Sequence, residues 1–275
     1  MLADEQLAKF NEVRQRAVLN KRLYLTLDQF LSDSRLKRAI RADPAAWEND
    51  GPLTLAGCLA SKLQEPCPPV QICRALDENL RVLHAAEAIR RPVKLMDKLL
   101  NNANQFLNTL SELALASTLK SKGWHVHLEE PFFGDKDVDV LAMRGVTKKY
   151  IEVTNLSIEK NPPIKKEGRG VVHSGQIGPS ADKDLIVQKI AAKYQEKFEE
   201  AIQNGWTGHA WVALDVAKDH IESVDTFFQS HIRLPQWKNE LTAIVRRECP
   251  GMSGFVVFRS WYSATHVDLD LWCSL

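Results

Sequence analysis

Carboxylate side chains interrupt two apolar segments in residues 137–155, which read DVDVLAMRGVTKKYIEVTN. The alternation on either side of Gly145 predicts two β-strands joined by a tight turn. A turn centred on Gly145-Val146 places Asp139 directly opposite Glu152, with Cβ atoms ~4.5–5.5 Å apart. Like charges at that distance destabilise a strand pair, so we expect a basic side chain or a cation beside them.

The same register places Asp137 opposite Thr154, and side chains two positions apart share one face of a strand. Asp137, Asp139, Glu152 and Thr154 therefore form one predicted polar patch. Two interpretations of this patch remain open. Either the face is solvated and a nearby base such as Lys149 neutralises it, or a divalent cation such as Mg²⁺ or Mn²⁺ binds between the oxygen ligands.

The elements around the patch predict an α/β fold. Apolar residues recur at spacings of three and four through residues 1–100, which predicts an all-helical N-terminal region. From about residue 100 the pattern predicts the order α-β-β-β-α-β, with further elements before the C-terminus. We expect residues 101–275 to form a second domain, in which helices cover a mixed sheet.

Composition narrows the class of protein. The formal net charge of the 275 residues is +1, which argues against a uniformly basic, nucleic-acid-coating protein but permits a local basic patch. The sequence has no apolar run long enough to span a membrane and no secretory signal pattern. Its five cysteines are irregularly spaced, which favours reduced thiols, so we expect a cytoplasmic protein.

The hairpin and the helix before it resemble the PD-(D/E)xK nuclease superfamily over about residues 105–216. Glu112 matches the family's first-helix glutamate, Asp139 its motif aspartate, and Glu152 its second acid, although Val138 replaces the usual proline. The resemblance implies a restriction-endonuclease-like core. It also implies Mg²⁺ (or Mn²⁺) held by Asp139, Glu152 and the Val153 carbonyl, with Glu112 as a direct or water-mediated ligand, and metal-assisted hydrolysis of DNA phosphodiester bonds.

The lysine of the family motif is missing, because Thr154 stands in its place and the motif reads E-x-T rather than E-x-K. A threonine hydroxyl can hydrogen-bond a water but carries no positive charge. Three explanations remain open: Lys189 or Lys193 on the following helix replaces it, Lys149 on the hairpin does so, or the domain is catalytically inactive.

Substrate contacts are expected in the polar stretch 157–180, where four basic residues would bind phosphate: Lys160, Lys165, Lys166 and Arg169. The resemblance thus implies a metal-dependent nuclease that binds DNA. The alternatives are an inactive nuclease-fold protein that binds nucleic acid or a protein partner, and an unrelated α/β domain with an exposed acidic hairpin. The helical N-terminal region is a candidate surface for homodimerisation.

Overall fold

The computed structural model describes residues 2–19, 25–42, 54–60, 68–100, 103–155, 179–216, 235–260 and 267–275. Within these ranges the protein has an α/β fold with one mixed sheet covered by helices. The helices are α1 (Leu2–Leu19), α2 (Leu25–Phe30), α3 (Asp33–Ala42), α4 (Leu55–Ala60), α5 (Pro68–Ala85), α6 (Pro92–Leu100), α7 (Ala103–Ser121), α8 (Pro179–Tyr194), α9 (Glu200–Gln203) and α10 (Pro235–Glu248). A π-helical segment, Gln195–Glu199, joins α8 to α9.

Six strands form the sheet, and their spatial order follows the order of the sequence. They are β1 (His125–Phe133), β2 (Lys136–Arg144), β3 (Thr147–Asn155), β4 (Ala210–Asp215), β5 (Gly254–Arg259) and β6 (Asp268–Ser274). Strands β1, β2 and β3 are antiparallel neighbours, β3, β4 and β5 are parallel, and β6 returns antiparallel to β5. The predicted order α-β-β-β-α-β is found from α7 to β4 in the part of the protein that the structure describes.

Both faces of the sheet are buried, as strand β4 illustrates. Trp211 and Ala213 belong to the core that the sheet shares with α7 and the earlier helices. Val212 and Leu214 belong to a second core with α8 and α10. A strand covered on both faces reads as a continuous apolar run, which is why residues 210–216 show little polar alternation.

The β2–β3 hairpin has the register predicted from the sequence. Its ladder runs from Arg144–Thr147 to Val140–Ile151 around a turn in which Gly145 has a φ of 59°. That conformation is accessible to glycine at little cost, so the residue sets the position of the turn. The ladder ends immediately before Asp139 and Glu152, and the predicted register is therefore confirmed up to the acids.

The described residues between 2 and 100 form helices α1–α6 and a single bridge from Ile89 to Leu128. Their apolar residues share one core with α7 and the sheet, and the predicted domain division at residue 100 stays a prediction. No helix among the described residues is both long and apolar enough to cross a membrane. The four cysteines that the structure describes are buried and form no disulfide bond: Cys58, Cys73, Cys249 and Cys273.

Candidate metal centre

Glu112 lies in the middle of α7, where the side chains of residues 111–119 are all buried. The helix is buried almost all round because it packs on α5, on α6 and on the sheet. Lys98 of α6 donates to both carboxylate oxygens of Glu112, at 2.9 and 2.7 Å. Burial raises the pKa of Glu112 well above its ordinary value, and the nearby charge of Asp139 raises it further. A buried glutamate on this helix requires such a partner.

Asp139 is the best-anchored acid of the site and is 7% exposed. Its Oδ1 accepts from Lys98 at 3.0 Å, and its Oδ2 accepts from the backbone N–H of Val153 at 2.9 Å. Burial alone would raise the pKa of Asp139, but the Lys98 charge and the Val153 hydrogen bond hold it below its ordinary value. Asp139 is therefore ionised at neutral pH, as a metal ligand must be.

Glu129 is an acid of the site that the sequence reasoning missed. The flanking pairs Leu128–Val140 and Glu130–Val138 put it level with Asp139 on the neighbouring strand. Its φ of 56° is in the left-handed region, which a non-glycine residue rarely occupies. The buried carboxylate lies 2.6 Å from the Lys98 ammonium. The sequence shows two adjacent acids before a proline, Glu-Glu-Pro at 129–131, but only the pairing of β1 with β2 places Glu129 beside Asp139.

One ammonium group joins three carboxylates here. Lys98 Nζ contacts Glu112, Glu129 and Asp139 at 2.6–3.0 Å, and ligand atoms of the three acids lie within 4.8 Å of one another. Burial would lower the pKa of Lys98, but the three acids outweigh it and raise the pKa above its ordinary value. These three carboxylates form the acidic cluster, and their geometry could hold a metal ion. Lys98 comes from the region that the sequence assigned to a separate helical domain.

Glu152 completes the site from strand β3 and is 2% exposed. Lys193 and Lys197 each lie 3.3 Å from its Oε1. Its Oε2 is buried and has no hydrogen-bond partner among the described residues. Burial raises the pKa of Glu152 to about 8, with a further contribution from Asp139, while Lys197 and Lys193 oppose the shift. An unpaired buried oxygen on a carboxyl group is costly, which makes Oε2 a natural ligand for a cation.

The lysines of α8 and the π-helical segment were partly predicted. Lys193 reaches Glu152, as one explanation of the missing lysine required, whereas Lys189 forms no ion pair with any acid that the structure describes. Lys197 was overlooked, although it continues the four-residue spacing from Lys189 and Lys193. It lies within the π-helical segment, a geometry that occurs frequently at functional sites.

Other predicted residues have different surroundings. The Asp137 carboxylate contacts Lys94 and Arg91 of the α6 region, not the side chains of Glu152 and Thr154, so the four-residue patch is not formed as expected. The strand pairing explains this, because Asp137 lies opposite Pro131 of β1, beyond the end of the β2–β3 ladder. Four predicted phosphate contacts lie outside the described residues: Lys160, Lys165, Lys166 and Arg169.

Lys149, the hairpin alternative for the missing lysine, has a different environment. Its ammonium lies 3.3 Å from the centroid of the Trp211 ring and 5.1 Å from that of Trp272. Burial lowers the pKa of Lys149 to about 8. Lys149 pairs with Ala142 in the ladder, three residues before Glu152 and nearer the turn, so its contacts are with aromatic rings.

A second buried polar group lies at the carboxyl ends of the parallel strands. Asp215 of β4 accepts from the Ser111 hydroxyl at 2.7 Å and from the Ser260 N–H at 3.0 Å, as well as from the Ser260 hydroxyl. The Ser111 hydroxyl oxygen also lies 3.0 Å from the side-chain oxygen of Asn155 of β3. Since both carboxylate oxygens of Asp215 have a donor, this network ties α7 to β3, β4 and β5 and thereby positions the helix that carries Glu112.

Comparison with known proteins assigns no relative to this arrangement. No protein-family model matches the sequence, and no curated protein or solved structure matches it significantly. Its chemistry must therefore be read from the site itself. Four buried carboxylates stand beside three lysines, a combination suited to binding a hard divalent cation and a phosphate group together.

Proposed function

We propose that the protein is a divalent-metal-dependent nuclease of the PD-(D/E)xK kind, which hydrolyses phosphodiester bonds of DNA. The observation that carries the proposal is the convergence of Glu112, Asp139 and Glu152 from α7, β2 and β3 on one buried charged site. These are the acids that the resemblance selects, and the element order around them is the one that the family's core requires.

The donor set fits Mg²⁺ or Mn²⁺. Carboxylate oxygens are the ligands that these hard cations prefer, and Oε2 of Glu152 is a buried oxygen with no partner among the described residues. Asp139, Glu152 and the Val153 carbonyl would hold the ion, with Glu112 as a direct or water-mediated ligand. When bound, the ion would lower the pKa of a water molecule and neutralise charge on the phosphate.

The lysines beside Glu152 supply the charge that Thr154 lacks. Lys193 and Lys197 are about a quarter exposed, so their ammonium groups can donate to a water molecule or a phosphate oxygen while they contact Glu152. A donor fixed where negative charge develops is worth about 10²–10³ in rate when it acts on the transition state. We assign this role, donation to the water molecule or to the phosphate, to Lys193 and Lys197 rather than to Lys189.

The alternative function is a catalytically inactive nuclease-fold protein that binds nucleic acid or a protein. One observation favours it specifically: Lys98 already neutralises part of the negative charge of the acidic cluster, so these carboxylates do not require a metal ion for charge balance. An inactive member would keep that ion-pair network for stability alone. This alternative would be supported if the protein binds DNA but cleaves it with no divalent ion that is added.

Cleavage of DNA in Mg²⁺ or Mn²⁺, compared with EDTA, tests the proposal. Asp139→Asn and Glu152→Gln should each abolish cleavage while the protein remains folded. Asp137→Asn is the matched control, because it removes a carboxylate two residues away that contacts Lys94 and Arg91. Cleavage that survives in Asp139→Asn or in Glu152→Gln would contradict the site. A parallel assay on RNA establishes which nucleic acid is the substrate.

A further inference from the structure

We propose that the Lys98 ammonium fills a cation position between Glu112, Glu129 and Asp139, so that Lys98 and a divalent ion exclude each other there. This inference rests on the part of the proposed function that concerns binding of a divalent ion. It does not require that the protein cleave DNA. It concerns the acidic cluster, which is distinct from the position beside Oε2 of Glu152. Glu129 belongs to the position in the acidic cluster and not to the position beside Glu152.

The contacts of Lys98 are those of an ion in a binding site. Nζ lies 2.6 Å from Glu129, 2.7 Å from Glu112 and 3.0 Å from Asp139, and all three acids are buried. Three carboxylates packed this closely repel one another unless a cation lies among them. A divalent ion would sit ~2.0–2.6 Å from the same oxygens, and therefore within the space that the ammonium occupies.

Asp139 divides the site into two positions. Its Oδ1 faces Lys98, while its Oδ2 accepts from the N–H of Val153, the residue that follows Glu152 in β3. The unpartnered Oε2 of Glu152 is the independent sign of a ligand, because the lysines contact Oε1 instead. A divalent ion therefore has one position available beside Glu152, while the acidic cluster already holds a cation supplied by the protein.

The backbone of Glu129 supports a specific role for that residue. Its left-handed conformation is unfavourable for a residue with a side chain, and such outliers persist where the surroundings hold them. The conformation coexists with contacts from two lysines of α6, since Lys94 lies 2.7 Å from Oε2 and Lys98 lies 2.6 Å from Oε1. Helix α6 is therefore joined to the site by charge through two lysines, and only Lys98 also contacts Glu112 and Asp139.

Counting bound Mn²⁺ in solution tests the proposal without DNA. Titration followed by electron paramagnetic resonance and by calorimetry should be run on the wild type, Lys98→Met and the double variant Lys98→Met/Glu129→Gln. Lys98→Met should bind one more Mn²⁺ per molecule than the wild type, and the double variant should lose that additional ion. Lys94→Met is the matched control on the same helix, because Lys94 contacts Glu129 and Asp137 but not Glu112 or Asp139, and it should keep the wild-type stoichiometry.

Equal Mn²⁺ stoichiometry and affinity in Lys98→Met and the wild type would overturn the proposal, as would an additional ion that persists without Glu129. If Lys98→Met does not fold in EDTA, Mn²⁺ in the refolding buffer should restore its circular dichroism, and failure to restore it also counts against the proposal. A wild type that binds Mn²⁺ but cleaves no nucleic acid contradicts the nuclease function and leaves this inference standing.

Discussion

The backbone N–H of Val153 donates to Oδ2 of Asp139 at 2.9 Å, just beyond the last pair of the β2–β3 ladder. A carboxylate thus takes over the link between the two strands at the point where backbone pairing stops. The contact fixes the orientation of Asp139 and leaves its other oxygen directed to Lys98. The acid is therefore both a structural link and a candidate metal ligand.

Removal of the Asp139 side chain should destabilise the protein more than its neutralisation. Asp139→Ala leaves the buried N–H of Val153 without an acceptor, which costs about 1–3 kcal/mol in the free energy of unfolding. Asp139→Asn keeps an oxygen for that hydrogen bond and should lose less. Urea denaturation in EDTA measures both. Equal losses in the two variants would show that the Val153 hydrogen bond does not stabilise the fold.

The stability of the metal-free protein should fall as pH rises toward about 8. Burial raises the pKa of Glu152 to about 8 from an ordinary value of 4.5. Because the folded pKa is the higher one, the folded state favours the protonated carboxyl group. This contribution is complete below pH 4.5 and is lost as pH rises through about 8, by at most ~1.4 kcal/mol per pH unit for one proton.

Glu152→Gln isolates that effect, because glutamine has nearly the shape of the protonated acid and does not titrate. The unfolding free energy of the wild type relative to this variant should therefore decrease between about pH 5 and about pH 9 in EDTA. Parallel pH curves for the two proteins would mean that Glu152 does not carry the raised pKa.

The lysines of α8 and the π-helical segment should differ in their effect on cleavage. Lys193→Met and Lys197→Met should each lower kcat by about 10²-fold, as expected for loss of a fixed donor. Lys189→Met, on the same helix and without an ion pair to the described acids, should cleave like the wild type. Assays at saturating Mn²⁺ separate these outcomes.

A pH profile distinguishes a direct role of the two lysines from a purely structural one. Lys197 and Lys193 lower the pKa of Glu152, so the acid limb of kcat should move to higher pH when either lysine is removed. Unchanged rates and pH profiles in both variants would show that neither lysine replaces the positive charge that the family motif has at the position of Thr154. The site would then fit the inactive alternative better.

The sequence by itself determined the hairpin register and the order of the elements around it. A turn at Gly145 and a side-chain period of two specify which residues face one another, because a slip of one residue would reverse every side chain of the strand. The burial of Glu112 also followed from local pattern, since α7 is apolar on most of its circumference. These features depend on neighbours close in the sequence.

Only the tertiary structure decided how the acids are neutralised. Lys98 and Glu129 are separated by 31 residues, and their contact depends on how α6 packs against α7, which in turn packs on β1. The left-handed backbone of Glu129 and the π-helical position of Lys197 have no periodic signature in the sequence. Contacts of this kind arise from packing between distant segments, and local spacing therefore predicted Asp139 and Glu152 but neither Glu129 nor the Lys98 ammonium that lies among the acids.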